Sequence, residues 1–277
     1  MGIAAVASAL LGLGCHGDKA LTVPAAEVSS GDGAGTRTLH GEDGGAKQEA
    51  TRLARTRLFM FVKYCFEKGI KRFIYTSTVA VYGSSTEKAF SENDKIKPDS
   101  IYGISKYSGE LYIQQYLNNS STKFTIFRVF NTYGPGENLN YAKKGMLSIY
   151  ASYIWKDEPI IVKGSLKRFR DFLYIDDNVD VLYNSLQNEK SFNQIYNLSS
   201  GEKIVIEDLL KIMLKAAGKE LNYSIKEDLG TQGDSFGTHG DIEKLKRDFN
   251  WYPKIDIQMG LKKYFKWISK IPIIDDL

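Results

Sequence analysis

The sequence predicts an α/β fold, a mainly parallel sheet with helices on both faces. Three observations in its 277 residues predict it. Short β-branched and aromatic runs such as "KRFIYTSTVAVYG" and "KFTIFRVF" read as strands buried on both faces. Between them stand longer stretches with apolar residues at helical spacing. The two kinds alternate through most of the chain, an order that favours parallel pairing through crossover helices.

From about Lys47 the pattern is helical, with apolar positions at Leu53, Leu58, Phe61, Val62 and Cys65, and Gly69 is placed to cap it. A buried strand follows over 72–77. Pro98 lies in the loop beyond, and the next helix, carrying Tyr102 and Lys106, runs to about Asn118. "KFTIFRVF" is a strand ended by "NTYGPGE". "GMLSIYASYIWKDE" reads as a helix and "PIIVKG" as a short strand. "RDFLYI" is a strand that runs into a helix from "DDNVD". "NQIYNLSS" is a strand, "IEDLLKIMLKAAGK" a helix ended by Gly218, and "LNYSIKE" a strand. "DIEKLKRDF" and "QMGLKKYFKWI" are the last two helices.

The front of the chain has a different composition. Residues 1–57 contain no Phe, Tyr, Trp or Asn, and ten of the 25 glycines fall there. "SSGDGAGTRTLHGEDGGAK" has too little apolar surface to offset ordering entropy, so residues 1–46 are expected to be an atypical, disordered N-terminal segment. The opening "MGIAAVASALLGLGC" has an apolar run but not the basic start of a secretory leader, and it is short of a membrane span. No later segment reads as a membrane helix. Net charge is +4 and dispersed, which does not point to nucleic acid. Cys15 and Cys65 have neither disulfide nor metal spacing, and His16, His40 and His239 form no ligand cluster, so no metal is expected. A reducing, cytoplasmic setting suits this cysteine usage.

The stretch "SIYGISKYSGE" places Tyr102 four residues before Lys106, one helical turn apart on the same face. A phenol of ordinary pKa near 10 is a poor base at neutral pH, and a nearby ammonium favours the phenolate. A Ser or Thr hydroxyl binding the same substrate oxygen completes such a site. Thr78 ends the preceding strand, 24 residues earlier, and ligands in parallel sheets sit at the carboxyl ends of strands. A second pair of the same spacing, Tyr64 and Lys68, precedes that strand with no hydroxyl-rich strand end before it, and reads as a helix-surface contact.

Four stretches in order, "FIYTSTVAVYG", "SIYGISKYSGE", "RVFNTYGPGE" and "RFRDFLYIDD", resemble the extended short-chain dehydrogenase/reductase family, in its branch of nucleotide-sugar epimerases and dehydratases; the tail "GDSFGTHGDIEKLKRDFNWYPKI" resembles it too. The resemblance implies a Rossmann-like core over 47–277, with an interleaved, smaller C-terminal α/β substrate lobe mainly at 132–170 and 199–277. It implies NAD as cofactor and a nucleotide sugar as substrate. It assigns the sugar-oxygen hydroxyl to Thr78, the acid/base to Tyr102, and to Lys106 the nicotinamide ribose and the lowering of the tyrosine pKa. Asn131 and Arg170 fall to the sugar-nucleotide diphosphate, and Asp234 to the nucleotide ribose. The plain readings are a surface ion pair of Arg170 with Asp171 or Asp176, and turn roles for Asn131 and Asp234. The helix bearing Tyr102 often forms dimers in relatives, so a homodimer is expected.

There are departures. Thr231 stands where relatives usually carry a basic residue, and Lys163 where an aromatic often lines the base pocket. Val79 and Ala80 stand where dehydratases carry Asp and Glu, which favours epimerisation over dehydration. "GLGCHG", Gly12 to Gly17, spells a dinucleotide loop, but only 60 residues separate it from Thr78, where three strand–helix units would need about 90. The run before Gly12 is Ala-rich and not β-branched. The expected sheet is therefore N-terminally incomplete. Three readings stay open: an NAD-dependent nucleotide-sugar epimerase or another reaction of its family, a non-catalytic remnant with part of a sugar-nucleotide site, and an exported protein lipidated at Cys15.

Overall fold

A computed structural model describes residues 57–83, 87–137, 139, 145–230 and 235–272, and the backbone of 4–7. Its elements begin with β1 (Ala4–Ala7), α1 (57–67), β2 (Arg72–Thr78), a 3-10 turn at Val79–Val81, α2 (Ile101–Leu117), β3 (Lys123–Val129), β4 (Asn131–Tyr133) and α3 (Met146–Trp155). They continue with β5 (Ile160–Lys163), β6 (Phe169–Arg170), β7 (Phe172–Tyr174), α4 (Ile175–Asn184), β8 (Gln194–Leu198), β9 (Ile204–Val205) and α5 (Ile206–Ala216). Last come β10 (Ile225–Asp228), β11 (Gly237–Thr238), α6 (Glu243–Phe249) and α7 (Ile257–Ile268).

The sequence explains the element boundaries locally. α1 ends in a Schellman turn: Gly69 takes φ +62°, Ile70 N–H bonds the Cys65 carbonyl at 3.0 Å, and Gly69 N–H bonds Phe66 at 3.2 Å. The α2 N-terminus is capped by Ser100, whose hydroxyl accepts from Gly103 N–H at 3.1 Å. Asp256 caps α7 in the same way, accepting from Met259 N–H at 2.7 Å.

The main sheet runs β1-β2-β3-β8, all parallel. Successive side chains of a strand point to opposite faces. Phe73, Tyr75, Phe124 and Ile126 accordingly pack with Val62 and Cys65 of α1 and Ile113 and Leu117 of α2. Ile74, Phe127, Tyr196 and Leu198 point the other way, onto Val181 of α4, Leu245 of α6 and Trp251. Burial pushes the Cys65 thiol up to about 11, so it sits there as a small apolar group. A separate core joins α3, α5 and α7 with β5 and the aromatic side chains Tyr133, Phe172 and Tyr174. Short two- and three-stranded pairings surround it: β10-β5, β4-β7 and β11-β6-β9. No helix among the described residues is long and apolar enough to cross a membrane.

One expectation about the front needs correction. The Ala-rich run before Gly12 does contain a strand: Ala4 to Ala7 pair in register with Arg72 to Tyr75. Backbone ladder bonds to β2, not side-chain propensity, specify it. Gly12–Gly17 lies outside the described residues.

Candidate functional site

The register fixes the site's edge. Thr78 pairs with Val129, and Val129 with Leu198, so β2, β3 and β8 end level. The chain leaves β2 through the 3-10 turn, where Thr78 Oγ1 accepts from Ala80 N–H at 3.3 Å. Helix α2 then returns and docks its first turn on that corner. The docking needs glycine: a Cβ on Gly103 would stand 2.5 Å from the Ala80 carbonyl oxygen. The close approach brings Tyr102, the second residue of α2, beside Thr78, whose hydroxyl acts on the phenol and favours its ionised form.

Lys106 lies one turn further along. It is 7% exposed, and its Nζ donates to the Thr76 carbonyl at 2.7 Å. It stands 5.2 Å from the centroid of the Tyr75 ring and 5.9 Å from that of Tyr102. Burial lowers its pKa to about 8, with Glu110 acting in the opposite direction. Tyr102 is 52% exposed as a residue, yet the protein crowding its phenol raises its pKa, and the Thr78 hydroxyl offsets only part of the rise. The sequence led us to expect a lowered phenol pKa. Here the desolvation of the phenolate outweighs its stabilisation. The thermodynamically favoured form is a neutral phenol.

Beneath these groups runs a buried polar chain. Glu110, fully buried, receives Arg128 through Nη2 at 2.8 Å and Nε at 3.2 Å, and the Ser77 hydroxyl donates to its Oε1. Arg128 Nη1 reaches the Tyr82 oxygen at 3.1 Å, and Tyr82 in turn donates to Asn197 Oδ1 at 2.6 Å. Asn197 N–H donates to Glu92 Oε1 at 2.8 Å. The chain thereby ties α2, β2, β3 and β8 together directly under the edge. Sequence reasoning did not single out Glu110, Arg128, Tyr82 or Asn197. The available signal was a glutamate four residues after Lys106, on the same helix face.

The remaining candidates sit in different surroundings. Asn131 begins β4, just beyond β3, and donates through Nδ2 to the Asp171 carbonyl at 2.9 Å. Arg170 is 5% exposed and is not a surface group; its Nη1 and Nη2 hold the carbonyls of Phe169 and Ser235 at 2.8 Å. Asp171 faces elsewhere, accepting from Ser200 N–H and Oγ–H at 2.7 Å, Gly201 N–H at 3.0 Å and Gly240 N–H at 3.2 Å. Asp234 and Thr231 lie outside the described residues. Tyr64 and Lys68 lie at the end of α1 that leads into β2, away from Thr78, with Tyr64 49% exposed. A wide depression of about 560 Å³ is lined by Ser200, His239, Lys246 and Tyr252, among others; Thr78, Tyr102 and Lys106 take no part in it. No cluster of three His, Cys, Asp or Glu side chains able to hold a metal occurs among the described residues.

The architecture thus defines a doubly wound α/β protein with a Thr–Tyr–Lys constellation at the carboxyl edge of its sheet. Residues 46–264 match the model of the GDP-mannose 4,6 dehydratase family, and the chain belongs to that family, within the extended short-chain dehydrogenases/reductases. It is 30% identical over 209 residues to a dTDP-4-dehydro-6-deoxyglucose reductase of Escherichia coli, covering 75% of this chain and 65% of that one. It is 28% identical over 217 residues to a dTDP-D-glucose 4,6-dehydratase of Mus musculus, covering 76% of this chain and 59% of that one. The chain therefore spans less than two thirds of the length of these relatives. Among solved structures, a UDP-glucuronic acid 4-epimerase from Bacillus cereus, in complex with UDP-glucuronic acid and NAD, superposes with a TM-score of 0.73 at 26% identity, covering 86% of this chain and 73% of that one.

Proposed function

We propose that the chain is a nucleotide-sugar epimerase working through transient oxidation of a sugar hydroxyl. The observation that carries this reading is the meeting of Thr78, Tyr102 and Lys106 at the sheet edge, with Val79 and Ala80 between Thr78 and the helix. The Bacillus cereus neighbour, which holds a UDP-sugar and NAD, supports it. The residues present suit the nicotinamide end of NAD: a buried ammonium and a phenol stand at the carboxyl ends of the strands, where doubly wound sheets receive dinucleotides. Lys106 and Tyr102 would hold its ribose, and bound NAD supplies the hydride acceptor.

Thr78 Oγ1 hydrogen-bonds the reacting sugar oxygen and orients it toward Tyr102. Tyr102 Oη, ionised to the phenolate in the reactive state, takes the hydroxyl proton as the sugar carbon becomes a ketone. It returns that proton once the keto sugar has turned its other face. The Lys106 ammonium offsets the charge on the phenolate. Asn131 and Arg170 bind the diphosphate and Asp234 the nucleotide ribose. Dehydration needs a further acid and base beside Thr78. Val79 and Ala80, whose backbone forms the 3-10 turn, offer no such group. The test is incubation with NAD and a panel of UDP- and dTDP-hexoses, followed by product analysis. Interconversion of C4 epimers is expected; a 4-keto-6-deoxy product would overturn the assignment.

Two features of the assembly follow from the same reading. NAD is held weakly by this chain, because only 60 residues separate the Gly12–Gly17 run from Thr78, where three strand–helix units would need about 90. The chain is a homodimer through α1 and α2. Their outer face carries Met60, Ile104 and Leu111, and Phe59 stacks edge-on against Tyr112 and Tyr116 at 5.5 Å. An exposed apolar face of this kind favours association. Light scattering should give a dimer for wild type and a monomer for Leu111→Glu.

A further inference from the structure

Lys106 raises a physical problem. A lysine this buried sheds its proton readily, which would leave the site without its cation near neutral pH. Its surroundings are few. From β2 it meets the Thr76 carbonyl and the Tyr75 ring; from its own helix, the Tyr102 ring and Glu110. The 3-10 turn presents only Val79, Ala80 and Val81. Two neutral rings and one carbonyl solvate an ammonium, but they carry no compensating charge. Among the described residues, Glu110 is the carboxylate acting on it.

Glu110 is fully buried itself and would be costly as an isolated charge. Its position is fixed from three sides. The backbone of α2 places it one turn after Lys106. Ser77, adjacent to Thr78, donates to one oxygen, and Arg128 closes on both oxygens with a fork. Arg128 is held in turn by Tyr82 and the Glu92 carbonyl at 3.1 and 3.2 Å. A lone structural ion pair would need only Arg128 and Glu110. Here the glutamate also receives Ser77, next to the threonine, and shares its helix with the lysine.

We propose that Glu110 is a positioning residue that keeps Lys106 protonated, with Arg128 and Ser77 holding its carboxylate in place. Burial alone takes the lysine toward the neutral amine, and Glu110 returns part of that shift, leaving its pKa at about 8. The proposal concerns the charge of Lys106 and rests on the epimerase reading only for the catalytic consequence.

The experiment measures Lys106 directly. Purified protein is labelled competitively with acetic anhydride across pH 6–10, and acetylation of Lys106 is quantified by mass spectrometry. In Glu110→Gln the apparent pKa should fall by about one unit or more. The Lys106 label taken up near pH 7 should rise about fivefold, since one unit moves the amine from about a tenth to about half deprotonated. Glu110→Asp, which retains the charge, should recover most of the wild-type titration. Should Glu110→Gln fail to fold because Arg128 is left buried and unpaired, the double variant Glu110→Gln/Arg128→Met removes that charge and should show a smaller fall in the same direction. A folded variant of either kind titrating as wild type would overturn the proposal. Turnover of Lys106→Met separates the two ideas. If that variant is inactive while Glu110→Gln leaves Lys106 unshifted, the tuning is wrong and the catalytic reading stands. If it is active while Glu110→Gln shifts Lys106, the tuning stands and the catalytic reading of the lysine is wrong.

Discussion

At the scale of single residues, Tyr102 and Tyr64 form a natural experiment. Both stand four residues before a lysine, and both lysines approach a ring face, at 5.9 and 5.8 Å. Only Tyr102 also lies beside a strand-end threonine whose hydroxyl acts on its phenol. Tyr102→Phe should lower epimerase turnover by about 10²–10⁴-fold, the usual contribution of a positioned acid/base, and Tyr64→Phe should leave it unchanged. Equal turnover would refute the assignment. Asp171 gives a pH prediction. Burial raises its pKa from 3.8 to about 6, despite the hydrogen bonds from Ser200, Gly201 and Gly240. A proton held more tightly in the folded than in the unfolded state adds stability that is full below pH 3.8 and lost as pH rises through about 6. Asp171→Asn cannot titrate. The stability advantage of wild type over this variant should therefore be greater at pH 5 than at pH 7.5, by about 1 kcal/mol. Chemical denaturation at the two pH values checks it, and an equal difference would show that Asp171 does not titrate in this window.

At the scale of elements, the site depends on how closely α2 docks. Two glycines face inward on this helix. Gly103 abuts the Ala80 carbonyl, and a Cβ on Gly109 would lie 2.5 Å from the Tyr75 hydroxyl. Alanine in a helix ordinarily stabilises by about 1 kcal/mol over glycine. At Gly103 the obstacle is backbone, which cannot swing aside, so the sign should reverse. Gly103→Ala should cost about 1–3 kcal/mol in a denaturation experiment, the usual range for overpacking, and lower turnover by moving Tyr102 off Thr78. A stabilised Gly103→Ala would show that the helix has room to shift. Much at this scale was legible in the sequence. Periodicity located the helices α1 to α7 and the longer strands, but not β4, β9 and β11, which at two or three residues carry no periodic signal; Gly69 and Gly218 marked helix ends. β1 was not legible, because alanines lack the β-branched signature and the strand exists by pairing with β2. The partners of Arg170 were hidden for another reason: a guanidinium bonded to main-chain carbonyls leaves no trace in residue spacing. The Glu110–Arg128 pair spans two elements, and only the fold reveals it.

At the scale of the whole molecule, the two ends of the cofactor site rest on different parts of the chain. Thr78, Tyr102 and Lys106 came from one local motif and one strand end, so they could be read from the sequence. The dinucleotide's other end depends on residues before α1, where composition and spacing depart from the family pattern. Titration with NADH followed by fluorescence should give binding weaker than micromolar. A low-micromolar dissociation constant, about −8 kcal/mol, would show that the front of the chain supplies a working pyrophosphate loop.

The place of β3 in the sheet has a consequence of its own. It is flanked by β2 and β8 on its two edges, and apolar layers cover both its faces. At its amino end Arg72 bonds Thr125 Oγ1 and the Ser185 carbonyl, so the strand is anchored there as well. Its amide hydrogens have no local route to solvent and should exchange for deuterium only when the whole sheet opens. β10, whose Lys226, Glu227 and Asp228 are exposed and which pairs only with β5 among the described strands, should take up the label far sooner. The deuterium clock would thus run slowest in the strand that carries Arg128 and leads into Asn131, and the reactive edge is hung from the part of the molecule that moves last.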